Sequence, residues 1–432
     1  MIGVTGTDGK TTTCQLIAKI LEKAGKKVGM LSTVYVKIGE VEEKNKTHKT
    51  SLLPFDLQRY LRQMVDAGCE YAVVETASHG IAQNRVWGIP YDVAVITNLT
   101  PEHLDYHGSM EHYRDTKARL FSELMSSKKK VGVAKTIVVN TDDEYFDHFV
   151  NFDAEKKMTY GKRVSDRDDV DRHVSVSEVE LSSDYSDVTL NVGDLSKKVR
   201  LYLPGEFNLY NLMAATAVAD SLGIGLDSVE RACEEVRLVP GRMEAIDEGQ
   251  DFKVFIDFAM TEMGYRNMLS ALRPITSGKI WVVFGCCGDR DKGKRAMIGK
   301  ACAELADRTV VCDDEPYTED AATIRAMILS GIESTDKVRD RDYFEIPDRA
   351  EAILFACRNA TKGDTIVIPG MGDFEGRTFA NGVRPWSERE EVKKALRSIH
   401  SNSIDAPDDK FRNATEHFIK KNYKLLKSLA DK

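Results

Sequence analysis

The chain has 432 residues, 42% of them hydrophobic, enough at about 150 residues per domain for two or three domains with real cores. Lysine and arginine number 61 against 69 aspartates and glutamates, a formal charge of −8, whereas a protein built to coat nucleic acid is basic. No segment reaches the roughly 18 uninterrupted apolar residues of a membrane span, and residues 1 to 30 lack a signal-peptide pattern, so a soluble, cytoplasmic protein is expected.

In chain order, short apolar runs alternate with helical patterns. A strand ending at Val4 leads to a helix over 12–24 stopped by Gly25, then a strand over 28–31. A helix over 56–67 carries Leu57, Tyr60, Leu61 and Met64 at helical spacing and stops at Gly68, and strands follow at 71–74, 93–96 and 136–139. Such alternation predicts a mostly parallel sheet covered by helices, with ligands at the strands' carboxyl ends. Between 158 and 203 apolar and polar residues alternate, as in 174–181, which predicts a peripheral antiparallel addition. Helices over 208–222 and 228–236 close this unit, and Pro240-Gly241-Arg242 marks a boundary. A second βα series places strands at 254–257, 280–284, 309–312 and 365–368. Beyond His400 a polar linker over 401–409 leads to a lysine-rich helix with Phe418, Tyr423, Leu425, Leu426 and Leu429.

Eight cysteines (14, 69, 233, 286, 287, 302, 312 and 357) show no CxxC pair and no repeated spacing, so buried free thiols are expected rather than zinc ligands or a disulfide framework.

The string Gly3-Val4-Thr5-Gly6-Thr7-Asp8-Gly9-Lys10-Thr11-Thr12-Thr13 falls between a strand and a helix. There, backbone N–H groups and a helix N-terminus can face phosphate oxygens, Lys10 supplies charge, and the Thr11 hydroxyl can hold Mg2+. The usual GxxxxGK[ST] spacing would need glycine where Val4 stands; Gly6 gives a shorter GxxGKT loop. A bare glycine turn explains the glycines but not a lysine and threonine in register at a helix start, so this is read as a nucleotide-binding site. The fold class is therefore α/β: a P-loop-type, mostly parallel ATPase domain over 1–245, a Rossmann-like C-terminal domain over 246–400, and a linker with a C-terminal helix over 401–432.

The loop Thr5-Gly6-Thr7-Asp8-Gly9-Lys10-Thr11-Thr12 resembles that of the Mur ligases, where position 8 is more often asparagine. The wording continues in Glu75-Thr76-Ala77-Ser78-His79-Gly80, in Thr97-Asn98-Leu99-Thr100-Pro101-Glu102-His103-Leu104-Asp105-Tyr106-His107-Gly108, and in Tyr113 to Phe121 around Lys117. In order and spacing these strings most resemble the tripeptide-forming branch of the family, over residues 2 to about 398.

The resemblance implies an ATP-dependent amide ligase that phosphorylates a carboxylate and lets an amine displace the phosphate, in peptidoglycan precursor synthesis. It implies Mg2+, two ions, held by Thr11, Glu75, His103 and a Lys117 carbamylated by CO2, with Gly6, Thr7, Asp8, Gly9, Lys10, Thr11 and Thr12 around the nucleotide. Thr50, Ser51, Ser78, His79, Gln83 and Arg85 match positions touching a nucleotide-sugar peptide, although Leu52 and Leu53 stand where proline and an acid usually follow the first pair. No GxSxG elbow surrounds Ser78 and His79, against a serine hydrolase. Asn208, in Phe207-Asn208-Leu209-Tyr210-Asn211, matches a residue near the adenine, with a plain helix N-cap as the alternative. Gly241-Arg242-Met243-Glu244 matches the interdomain segment, and Arg290, in Gly288-Asp289-Arg290-Asp291, matches an arginine that approaches the nucleotide on domain closure. A monomer is expected.

Four departures stand out. Met260 replaces the histidine of the family's DYAHTP. Asp314-Glu315-Pro316-Tyr317 stands for DNPR, and Tyr317 offers no guanidinium to a second carboxylate, so the amino acid stays open among lysine and other diamino acids. The late GKGHE reads Gly370-Met371-Gly372-Asp373-Phe374-Glu375, leaving Asp373 or Glu375 to meet the incoming amine. Finally, the family carries a UDP-holding domain ahead of the loop, so either a truncated chain or recognition without that domain is implied. Two further readings remain: a related ligase acting on another carboxylate acceptor, of folate or poly-glutamate type, and a nucleotide-binding regulator that has lost catalysis.

Overall fold

Val93–Ile96 and Thr136–Asn140 are buried along their whole length, which only an interior strand covered on both faces tolerates. The computed structural model describes residues 1–404 apart from 48 and 183. Its larger sheet comprises β1 (Ile2–Thr5), β2 (Val28–Leu31), β3 (Tyr35–Ile38), β4 (Val41–Lys44), β5 (Tyr71–Glu75), β6 (Val93–Ile96), β7 (Thr136–Asn140), β8 (Lys156–Tyr160), β9 (Arg172–Leu181), β10 (Ser186–Val192) and β11 (Leu195–Leu201). Their order is β11-β10-β9-β8-β7-β6-β1-β5-β2-β3-β4.

From β9 to β2 neighbouring strands run parallel; β10, β11, β3 and β4 add antiparallel margins. Strand order reverses about β1, and a sheet of this kind opens a crevice at the carboxyl ends beside such a reversal. The loops after β1, β5 and β6 meet there. The helices Lys10–Lys23 and Glu206–Ser221 cover one face of the sheet, and Met110–Ser122 packs on the other.

The antiparallel addition expected over 158–203 is present at the sheet margin as β9, β10 and β11, and it is joined to the main sheet without a break, since β8 pairs parallel with β7 and β9 parallel with β8. Its inward residues Val188, Leu190, Val199 and Leu201 belong to the main core, because alternate residues of the margin still face the helices. The β3–β4 hairpin was not legible, since Val41–Lys44 is mostly exposed and carries little apolar pattern.

The second sheet comprises β12 (Glu244–Ala245), β13 (Lys253–Ile256), β14 (Ile280–Phe284), β15 (Arg308–Val311), β16 (Tyr343–Glu345) and β17 (Thr365–Ile368), ordered β12-β13-β17-β14-β15-β16 and parallel except for β12. A separate hairpin joins β18 (Gly376–Phe379) to β19 (Gly382–Pro385). All eight cysteines are free thiols and all but Cys69 are buried. The last helix runs Glu388–Ile404, into the predicted linker, because its acidic first turn continues without a breaker; the rest of the linker and the lysine-rich helix lie outside the described residues. Among the described residues no helix is long and apolar enough to cross a membrane.

That last helix is pinned by a buried ion pair. Arg349 Nη2 donates to Glu388 Oε1 at 2.7 Å and to the Pro369 carbonyl at 2.9 Å, and Trp386 Nε1 donates to Glu388 Oε2 at 2.6 Å. Both charged side chains are wholly buried. Arg349→Met strands the Glu388 charge and is expected to cost about 3–5 kcal/mol, read by urea unfolding followed through tryptophan fluorescence; an unchanged midpoint would refute this.

Candidate functional site

The phosphate-type loop closes on itself through glycine geometry. Gly6 (φ 145°) and Gly9 (φ 81°) adopt backbone conformations that favour glycine, and a Cβ at Gly6 would meet Thr97 Oγ1 at 1.8 Å. Thr7 N donates to Asn98 O, Asp8 N to Asn98 Oδ1 (both 2.9 Å) and Thr97 Oγ1 to Asp8 O (2.6 Å), tying the loop to the segment after β6. Gly9 heads the helix Lys10–Lys23 with no side-chain cap, which leaves first-turn N–H groups for an anion.

Two lysines converge on one atom. Lys10 Nζ donates to Gly6 O at 3.0 Å and to Thr7 O at 2.6 Å, while Lys117 Nζ donates to the same Gly6 O at 2.6 Å from the helix Met110–Ser122. Lys117 is 1% exposed and lies 4.5 Å from the Tyr113 ring centroid. Burial, then the Lys10 charge, pull its ammonium well below the ordinary 10.5.

Glu75, at the end of β5, is 1% exposed and accepts from Thr11 Oγ1 (3.0 and 3.1 Å), Thr33 N (2.7 Å) and Thr33 Oγ1 (3.0 Å). Among the described residues no cationic side chain is paired with it; the nearby Arg242 donates instead to Thr11 Oγ1 at 3.3 Å. A buried carboxylate held by neutral donors, beside a threonine hydroxyl, is the hard oxygen set that suits Mg2+. His103 adopts a left-handed conformation (φ 57°), its ring 4.5 Å from that of His79. Desolvation first, then the His79, Lys294, Lys117 and Lys10 charges, drive its pKa down to about 2, so a neutral imidazole faces the cleft.

A cavity of about 1080 Å³ joins these groups to the second unit. Thr7, Asp8, Gly9, Lys10, Thr11, Thr12, Glu75, His103, Thr50, Ser51, His79, Arg85, Arg290 and Tyr317 line it. Gly6 and Lys117 do not reach the wall, and three further predicted residues stand behind it. Asn208 donates to Pro204 O at 2.7 Å and accepts from Asn211 at 3.0 Å; it is neither the N-cap, which is Gly205, nor on the cavity, where Asn211 lies instead. Ser78 is buried against His107 Nε2 at 3.1 Å. Asp314 is 3% exposed, its Oδ1 lacks a hydrogen-bond partner and burial raises its pKa to about 6, while its neighbour Glu315 reaches the cavity. In each case the packing of a helix or loop start turns the motif residue inward and presents its neighbour.

Gln83 sits at the rim between Tyr106 and Arg85, and Arg85 Nη1 donates to Ser51 O at 2.9 Å. Glu375 is off the cavity wall and accepts from Lys44 Nζ at 2.7 Å, with Asp373 also within 3.3 Å of that ammonium. Arg290 stacks on Tyr317, guanidinium carbon to ring centroid 4.8 Å. Met260 lines the cavity where the resemblance called for histidine. Sequence reasoning missed Thr33, which follows β2 without a motif of its own, and Asn211.

Because Lys117 binds fewer protons folded than unfolded, it lowers stability increasingly as pH falls below about 10.5. Lys117→Met is expected to raise the melting temperature at neutral pH, with the gain shrinking as pH rises toward that value; a gain that widens on alkalinisation would contradict the burial argument.

Residues 4–219 match the Mur ligase middle domain and residues 241–372 the Mur ligase glutamate ligase domain. The chain is 37% identical over 397 residues to a UDP-N-acetylmuramoyl-L-alanyl-D-glutamate–2,6-diaminopimelate ligase of Geobacillus thermodenitrificans, covering 92% of this chain and 78% of that one. It is 36% identical over 408 residues to a UDP-N-acetylmuramyl-tripeptide synthetase of Roseiflexus sp., covering 92% and 79%. A solved UDP-N-acetylmuramoyl-L-alanyl-D-glutamate–2,6-diaminopimelate ligase superposes with a TM-score of 0.61 at 30% identity, covering 92% of this chain and 78% of that one. With both of its domain types present in order and a relative matched along most of its length, the chain belongs to the Mur ligase family.

Proposed function

We propose that this chain is an ATP-dependent, ADP-forming amide ligase that adds a diamino acid to a UDP-N-acetylmuramoyl-dipeptide in peptidoglycan precursor synthesis. The observation that carries the reading is the convergence of Lys10, Lys117 and the Thr11–Glu75 pair on one loop, at a cavity that both units line. Residues 1–245 then form the nucleotide-holding domain and 246–400 the amino-acid-binding domain.

Joining a carboxylate to an amine in water is uphill, so the acceptor carboxylate first takes the γ-phosphoryl group and the amine then displaces phosphate. Such transfer depends on positioning and charge neutralisation. The Gly6–Thr12 loop and Lys10 hold the phosphates. Thr11, Glu75, His103 and Lys117 would hold Mg2+, which when bound draws charge from the phosphate oxygens. The depressed basicity of Lys117 leaves a neutral amine able to add CO2, and the carbamate so formed is an oxygen donor where an ammonium would repel a metal. Arg85, Ser51 and Thr50 face the acceptor's anionic groups, and Arg290 reaches the nucleotide from the second unit.

Incubation with MgATP, UDP-muramoyl-dipeptide and a panel of amino acids should yield one product heavier by a single amino-acid residue, weighed by mass spectrometry. Tight nucleotide binding without product for any acceptor would favour the regulator. Lys117→Ala is expected to lose at least about 100-fold in turnover and to recover part of it with short-chain carboxylic acids; full activity in that variant refutes the carbamate.

A further inference from the structure

Glu102 immediately precedes His103 in the loop after β6 and is 6% exposed. Its Oε1 accepts from Lys294 Nζ at 2.9 Å, and the same oxygen lies 3.7 Å from His103 Nδ1. Lys294 comes from the other unit, one residue into the helix Gly293–Leu305, with its side chain 13% exposed. One carboxylate oxygen is thus shared between a cation of the second unit and the ring nitrogen of a residue whose left-handed backbone must be imposed by its surroundings.

Histidines that meet a metal through one nitrogen give the other N–H to a carboxylate or carbonyl, which fixes the tautomer and the ring plane. At 3.7 Å the Glu102–His103 contact is longer than a hydrogen bond, and it is the Nδ1 atom of the ring that faces the carboxylate oxygen. A buried carboxylate is held in place only where it is paired, and Lys294 is the pairing cation here.

We infer that Glu102 is a positioning residue for His103, orienting its ring so that Nε2 faces the metal site, and that Lys294 makes this orientation depend on contact between the two units. Closure of the C-terminal domain over the nucleotide would thereby complete the metal site from outside it. The inference rests on the reading of His103 as a metal-facing residue.

The test is a titration of the intact chain with Mn2+ in the presence of ADP, followed by electron paramagnetic resonance, for Glu102→Gln, Lys294→Met, Lys294→Arg, the double variant Glu102→Gln/Lys294→Met, and His103→Ala. Glu102→Gln and Lys294→Met should each weaken Mn2+ binding about tenfold or more. Lys294→Arg, which keeps the charge, should restore most of it, and the double variant should be no worse than either single one, as expected of residues acting as one unit. If His103→Ala loses Mn2+ but Glu102→Gln and Lys294→Met bind it as the parent does, the positioning role is overturned while the metal reading stands. If His103→Ala binds Mn2+ unchanged, the metal reading itself fails. Melting curves of each variant separate a folding defect from these outcomes, and a loss that Lys294→Arg fails to restore in folded protein also counts against the inference.

Discussion

The carbonyl oxygen of Gly6 receives two ammonium groups, from Lys10 and Lys117, and the rest of the site follows from that crowding. Two cations so close in a desolvated place repel, and the one without access to water gives up its charge more readily. Lys10 lines the cavity at the helix start; Lys117, buried under the Gly6 carbonyl against Tyr113, has its basicity lowered, first by burial and then by the Lys10 charge. The reversal of strand order at β1 opens the crevice in which the loop after β1 meets Lys117 of the helix Met110–Ser122.

The two units are linked by polar contacts around the cavity, with Phe207 of the first unit packed against the apolar core of the second. Thr261 donates to Asp8, Lys294 to Glu102 and Lys44 to Glu375. The exposed Lys44–Glu375 pair forms and breaks at modest net cost, whereas Glu102 is buried and depends on Lys294 for its pairing. An interface of this kind suits domains that open and close around a nucleotide. The Arg349–Glu388 pair is the opposite case: wholly buried, it lies within the second unit.

Local chemistry accounts for how much was readable in advance. The strands at 28–31, 93–96, 280–284 and 365–368 carry uninterrupted apolar runs bounded by breakers, and their limits coincide with β2, β6, β14 and β17. The hairpin β3–β4 carries no such run, because an exposed margin needs no apolar face. At the site, Glu75 and His103 stand at the ends of strands or just beyond them, where motif strings and chain direction together point. Asn208, Ser78 and Asp314 show the limit of that reasoning: a motif names a turn of helix or loop, but one residue's rotation around it decides which side chain meets the cavity.

By itself the sequence determined the α/β alternation, the glycine loop with a lysine and threonine in register, and a family likeness running through both units, because each is written in neighbouring residues or in a fixed order of short strings. Only the tertiary structure decided that Lys10 and Lys117 share one carbonyl, that Asn211 rather than Asn208 faces the cavity, and that Lys294 reaches across to Glu102. The two lysines are 107 residues apart and Lys294 is 192 from Glu102, distances that no local pattern encodes, while Asn208 and Asn211 are one helical turn apart and are told apart only by the side of the helix that packing buries.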